Sequence, residues 1–397
     1  TKAMTAAQRS SARYYQRPDQ DYVSLDPNAT SLSGWSTALS FGKDAGSFRM
    51  GTDFYATSPG FEINDAGYGT EADDIFQGIW LSQRWLDPGK VFRRFSLNAT
   101  WAQSWNFDGT NVGRTAYFGF GGQLLNYWNF NFGSNFSPRT LSDYTTRGGP
   151  LMVQPQRWSV NWNASSDQRK KVTASAHGTF SGNEEGGWGV HAGPGLTVRP
   201  SGALSFEASF CYDESQSAGY YVTQRADPTA TETYGGRYLF SGLRQRSLNV
   251  SLRGNLALSP SLSIQWYAQP YIATGDYEGF KELARPRSFE FLRYGQDGAS
   301  TLAYDQAQST YTADPDGAGA APAIRFGNPD FSFRSLRSNL VVRWEYRPGS
   351  TVFLVWNHGR AGSSADPSAG ILDETGRLFD DTMRNTFMVK VNYWLSR

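Results

Sequence analysis

From Phe387 to Leu395 the chain alternates without a break. Phe387, Val389, Val391, Tyr393 and Leu395 form one set, and Met388, Lys390, Asn392 and Trp394 the other. A period of two puts the sets on opposite faces of a β-sheet. The pattern recurs along the whole chain, and three segments carry it most clearly. These are 156–166 (Trp158, Val160, Trp162), 203–214 (Leu204, Phe206, Ala208, Phe210, Tyr212) and 246–258 (Leu248, Val250, Leu252, Leu256). The alternate positions hold Ser159, Asn161, Asn163, Glu207, Asn249, Ser251, Arg253 and Asn255. One row suits hydrocarbon and the other suits water, which is what a strand in the wall of a membrane barrel must offer.

Reading for alternation predicts about fifteen strands of crossing length, given that a tilted strand needs ~9–11 residues to span a bilayer. Their spans are 33–43, 47–57, 74–86, 91–105, 113–123, 126–136, 156–166, 170–181, 188–199, 203–214, 246–258, 262–274, 332–347, 350–361 and 384–396. Tight turns recur at Asp44-Ala45-Gly46, Asp87-Pro88-Gly89, Pro200-Ser201-Gly202, Ser259-Pro260-Ser261 and Pro348-Gly349. Proline presets a turn-compatible φ and glycine accepts a positive one, so these are hairpin signals. The intervening connections, 58–73, 137–155, 215–245, 275–331 and 362–383, are long. Short turns at one end and long loops at the other match the periplasmic and extracellular ends of an outer-membrane barrel.

The expected fold is therefore all-β: an antiparallel transmembrane β-barrel, with residues 33–397 in the barrel and 1–32 as an extracellular lead-in. If Asp44 to Gly46 is periplasmic, the first strand descends. Bacterial barrels have even strand numbers, so parity predicts sixteen or more strands, with at least one upstream of Thr1. The start Thr1-Lys2-Ala3-Met4 has no apolar signal region, so the reading expects a mature or partial product.

Composition removes other classes. No run approaches the ~20 apolar residues of a membrane-crossing helix. Aromatic residues make up 15% of the chain and 42 residues are glycine, which fits aromatic girdles and tight turns. A net charge of +1 gives no sign of a nucleic-acid partner. One cysteine, Cys211, excludes an internal disulfide.

Four stretches, RPDQDYVSLDP (17–27), SPGFEINDAGY (58–68), GDYEGFKELARPR (275–287) and SLRSNLVVRWEYRPGSTVFLVW (335–356), carry a family resemblance. With them the chain resembles a family of uncharacterised outer-membrane barrel domains that usually follow a module similar to family 9 carbohydrate-binding modules. The resemblance implies a barrel downstream of such a module and favours a carbohydrate ligand, and it transfers no catalytic residue. The ending Trp394-Leu395-Ser396-Arg397 departs from the terminal aromatic of many barrels.

Parity also places His177, His191 and Cys211 on the water side of three neighbouring strands. Centring the hairpins on Glu184 and Ser201 pairs position 177 with 191 and 191 with 211. Imidazole and thiolate are good ligands for zinc or copper. A flat row is poor tetrahedral geometry, however, no fourth ligand is evident, and a one-residue slip would scatter the trio. Polar wall residues are the plainer reading.

Arg253, Arg337, Arg343, Glu345, Lys390 and Glu207 are expected to face the lumen as screened pairs, without strong ion selectivity. In the long loops, Tyr277, Phe280, Glu282, Arg285 and Arg287 are ligand or plug candidates, and Tyr220, Tyr221 and Tyr234 offer further stacking surfaces. Asp65, Asp73 and Asp74, and the run Asp314-Pro315-Asp316-Gly317, carry a weak cation-binding reading against the plainer one of solvated loops. The glycine-rich GFGGQ (119–123) and GWGVHAGPG (187–195) lie on strands, so they fail as phosphate cradles.

The leading function is a channel or plugged barrel that handles a solute or polymer at the outer membrane. Its partners would be outer-membrane lipids, a glycan or small solute, and other membrane or periplasmic subunits. A structural or secretion-linked anchor and an outer-membrane hydrolase are the rivals. No catalytic residue is nominated, no motif names a cofactor, and a non-enzymatic role is preferred.

Overall fold

A computed structural model describes residues 2–63, 67, 69, 71–368 and 370–395. A short helix α1 (Lys2–Gln8) precedes β1 (Ser36–Lys43), β2 (Phe48–Thr57), β3 (Asp74–Trp85), β4 (Phe92–Trp105) and β5 (Asn111–Leu124). Next come β6 (Asn129–Ser137), the small hairpin β7 (Thr140–Ser142) and β8 (Met152–Gln154), then β9 (Arg157–Ser165), β10 (Val172–Asn183) and β11 (Trp188–Ser201). Three long strands follow: β12 (Leu204–Ala226), β13 (Gly236–Ser259) and β14 (Leu262–Leu283). Short strands β15 (Phe291–Arg293), β16 (Thr301–Asp305), β17 (Thr310–Asp314) and β18 (Ile324–Gly327) lead to β19 (Phe331–Arg347) and β20 (Ser350–Ser364). Helix α2 (Ile371–Arg377) and β21 (Met383–Asn392) complete the described residues.

Most of these strands form one antiparallel meander, β1-β2-β3-β4-β5-β6-β9-β10-β11-β12-β13-β14-β19-β20-β21, with β15 attached beside β14. All fifteen predicted strands are present along it. Among the described residues the expected closure is not made: β1 pairs with β2 alone and β21 with β20 alone. The physical reason is parity. In an odd antiparallel meander the two edge strands run the same way, so they cannot complete the sheet with one more antiparallel pair.

The period-two pattern becomes two chemically distinct faces. On one, Trp266, Leu340, Trp356 and Phe387 stand opposite one another across four strands. These side chains point outward, and Phe387 is 75% exposed. On the other face, Asn131, Asn163, His177 and Gly193 form the corresponding row.

The two ends of the sheet differ as well. At one end lie 44–47, 86–91, 125–128, 166–171, 202–203, 260–261 and 348–349, none longer than six residues. At the other lie 58–73, 106–110, 138–156, 184–187, 227–235, 284–330 and 365–382. Long connections are confined to the second end.

Two expected loops prove to be largely strand. Segment 215–245 is the continuation of β12 and β13 around a connection of 227–235, and 275–283 is the continuation of β14. These extensions carry a cap. Leu239, Phe280, Tyr294, Ala313, Ile324 and Phe326 form one buried cluster there, and Met152, Tyr238, Phe240 and Leu283 a second. The hydrophobic core thus lies in the loop-end cap and not between sheet layers. The final strand stops at Asn392, so Tyr393 and Leu395 lie beyond it, and Ser396 and Arg397 fall outside the described residues.

Candidate functional site

The six charged residues expected on the water side share the polar face. Glu207 stands opposite Arg253, which stands opposite Tyr267. The Arg253 guanidinium lies 5.3 Å from the Tyr267 ring centre. Arg343 donates to Glu345 at 2.8 Å, and Lys390 reaches over Phe353. Arg337 is opposite Gln269 and Gly359. Among these six, Glu207 faces Arg253 and Glu345 is paired with Arg343, so both signs are present on this wall.

His177, His191 and Cys211 lie on the same face, half-buried, each offering a ligand atom within 4.8 Å of the others. The expected pairings are corrected by two residues: His177 is opposite Gly193, and His191 is opposite Thr179 and Asp213. The first turn is centred later than Glu184 because Asn183 Oδ1 accepts from Glu185 N at 3.0 Å and Gly187 N at 2.9 Å. The second turn is Gly202-Ala203, with a register shift between Val198 and Ser201. An even displacement keeps every side chain on its face, so the trio still converges, now along diagonals.

Two residues complete this constellation. His191 Nδ1 lies 2.7 Å from Asp213 Oδ1, and Ser247 Oγ donates to the other carboxylate oxygen at 3.3 Å. A carboxylate accepts, so Nδ1 is the donor in this contact and Nε2 is left facing away from Asp213. A Cβ at Gly193 would come within 2.3 Å of the His177 ring. The missing side chain is what lets His177 lie across β11 toward Cys211.

At the loop end, the lead-in is docked onto the sheet. Arg17, 4% exposed, has Asp143 at 3.5 Å and Asp19 at 4.0 Å. Asp19 accepts from Leu151 N at 2.6 Å, Arg13 donates to Pro59 O at 3.1 Å, and Tyr22 donates to Asp73. Asp73 also accepts from Phe107 N at 2.9 Å. Burial raises the Asp73 and Asp143 carboxyls above their ordinary range, outweighing these donors and Arg17. Beside the lead-in is a chamber of about 790 Å³, with Tyr14, Tyr55, Phe76, Asp74, Asp143 and Arg147 among its walls.

Of the loop candidates, Tyr277, Phe280 and Glu282 sit on β14. Phe280 is 2% exposed and packs on Tyr311 and Phe326, so it presents no stacking surface. Glu282 is buried and held by Arg237 and by Tyr294, whose hydroxyl donates at 2.6 Å. Arg285 pairs with exposed Glu290, and Arg287 gives its backbone N–H to Leu151 O at 2.7 Å. Tyr220 and Tyr221 belong to β12, and Tyr234 ends a short 3₁₀ turn. Asp314 Oδ1 accepts from Asp316 N and Gly317 N, the signature of a self-capped turn. Asp65 lies outside the described residues. The chamber went unread because its walls come from segments far apart in sequence.

No curated protein matches this sequence. The profile of one family, described as "Domain of unknown function (DUF5916)", matches residues 2–396. With nearly its whole length inside that match, the chain belongs to the DUF5916 family.

Proposed function

We propose that this sheet is the wall of an outer-membrane β-barrel, and that the lead-in and cap plug its outer mouth over a solute-binding chamber. The observation that carries the reading is the segregation of faces. Large apolar side chains such as Leu39, Phe41, Phe180, Phe206, Phe387 and Val389 point outward along nearly every strand and are 49–81% exposed. A water-soluble protein does not leave so extended an apolar surface uncovered, whereas a lipid layer covers it. The confinement of long connections to one end supports the same reading. Membrane strands cannot leave edges in lipid. Closure comes either from parallel pairing of β1 with β21 or from one further strand antiparallel to both.

The chamber supplies the ligand class. Tyr14, Tyr55 and Phe76 offer ring faces, and Asp74, Asp143 and Arg147 offer acceptors and donors. That mixture suits a neutral, hydroxyl-rich solute, in keeping with the carbohydrate class that the sequence resemblance implies. The side chains that tie the lead-in to the loop end include Arg13, Arg17, Asp19 and Tyr22.

Fractionation and planar-bilayer recording test this together. The protein is expected in the outer-membrane fraction, soluble only in detergent, with a gel mobility that changes on boiling. Wild-type conductance should be small, and Arg17→Ala with Tyr22→Phe should raise it several-fold. A protein that is monodisperse in water without detergent overturns the reading.

A further inference from the structure

We propose that His177, His191 and Cys211 form a binding site for a thiophilic metal ion of the zinc(II) class on the polar face of the sheet. The chain has three histidines and one cysteine in 397 residues. Two of the three and the only thiol meet in one patch, with ligand atoms within 4.8 Å of one another. In a tetrahedral zinc sphere, N and S ligands lie about 3.3–3.7 Å apart, as follows from Zn–N near 2.0 Å and Zn–S near 2.3 Å. Small side-chain rotations bring the trio to that spacing.

Three further observations distinguish this patch from an ordinary polar wall. Asp213 holds Nδ1 of His191 at 2.7 Å, which fixes the ring and leaves Nε2 as the nitrogen that can face an ion. That carboxylate-to-imidazole contact is the usual support of a metal-bound histidine. Asp213 is itself steadied by Ser247. Gly193 provides the gap through which His177 reaches across a strand, and any side chain there would push the ring away.

The ligand set, two imidazoles and a thiolate, selects zinc(II) or copper(I) over calcium and magnesium, which require oxygen donors. Three protein ligands leave one coordination position open toward the water side. The site therefore suits reversible capture of an ion, or an ion that keeps an exchangeable water. It stands whether or not the sheet lies in lipid.

Zinc titration of the chelator-stripped full chain, read by competition with a chromophoric chelator, tests the site, and cobalt(II) reports the ligands. The expected result is one equivalent per chain and a thiolate-to-cobalt charge-transfer band. Cys211→Ser should abolish the band and weaken zinc binding at least 100-fold. His177→Gln should do the same, and Asp213→Asn should weaken it about 10- to 100-fold while keeping the band. Gly193→Val, which alters no ligand, should also weaken binding. Each variant is checked for the wild-type circular dichroism spectrum; if His177→Gln fails to fold, Cys211→Ser and Asp213→Asn decide. Equal zinc affinity in wild type and Cys211→Ser, or a cobalt spectrum without a thiolate band, overturns the proposal.

Discussion

Leu340 and Arg343 lie three residues apart on β19 and point to opposite sides. Leu340 stands between Trp266 and Trp356 on the apolar face, whereas Arg343 stands between Ser263 and Phe353 on the polar one. Under the membrane reading, Leu340→Arg places a charge in lipid and should cost about 2–4 kcal/mol at mid-depth. Arg343→Leu loses its 2.8 Å contact with Glu345, a half-exposed pair of small worth, and should cost far less. Urea titration of refolding into lipid vesicles measures both, and equal penalties would show that the faces are misassigned. The same residue-level logic governs glycine on the polar side. Gly51, like Gly193, lies beneath an aromatic ring, here that of Trp80, whose atoms would come within 2.7 Å of a Cβ. Large polar-face side chains are thus accommodated by neighbours that have none.

The extensions of β12, β13 and β14 are held by the packing of the cap. Their charged centre is Arg237, bonded to Asp227 and Glu282, with carboxylate side chains 2% and 8% exposed. Arg237→Ala leaves both acids buried without their cation, a change of about 3–5 kcal/mol. The cap should loosen while the sheet survives: limited proteolysis should cut within 284–330, and boiling should still shift the gel mobility. Protection equal to wild type would mean that the cap does not rest on this network. These extensions also show where sequence reading stopped. Below residue 214 on β12 alternation is clean, because one face is apolar and the other polar. Above it both faces pack, so Tyr220 and Tyr221, or Tyr238, Leu239 and Phe240, are consecutive and apolar. Register shifts at Ser217/Tyr220, Tyr221/Thr223 and Phe240/Gly242 break the period further. A period-two filter reads such stretches as loop. The metal trio was legible for the opposite reason, since parity survives an even register error. Asp213's hold on His191 and the gap at Gly193 were not, because both depend on the true register.

For the whole molecule, the decisive question is what controls the lead-in. It is held by buried groups of mixed charge: Arg17 between Asp143 and Asp19, and Tyr22 on Asp73, with Phe107 N–H and the neighbouring Asn106 nearby. Burial lifts the Asp73 and Asp143 carboxyls above the unfolded value of ~3.9. A group whose value is raised in the docked state binds its proton more tightly there than when released. Its contribution to docking is complete at low pH, and it is lost as pH rises through the docked-state value. The lead-in should therefore be held most firmly at about pH 4 and less firmly as pH rises from there, against the usual expectation for a salt-bridged aspartate. Hydrogen exchange at residues 8–26, corrected for intrinsic rates, measures this directly. Protection should fall with rising pH, and Asp143→Asn should flatten the dependence by removing one of the two titrating groups. Protection that increases with pH in the wild type would mean that Arg17, and not burial, governs these carboxylates. The lead-in would then tighten in alkali instead of acid.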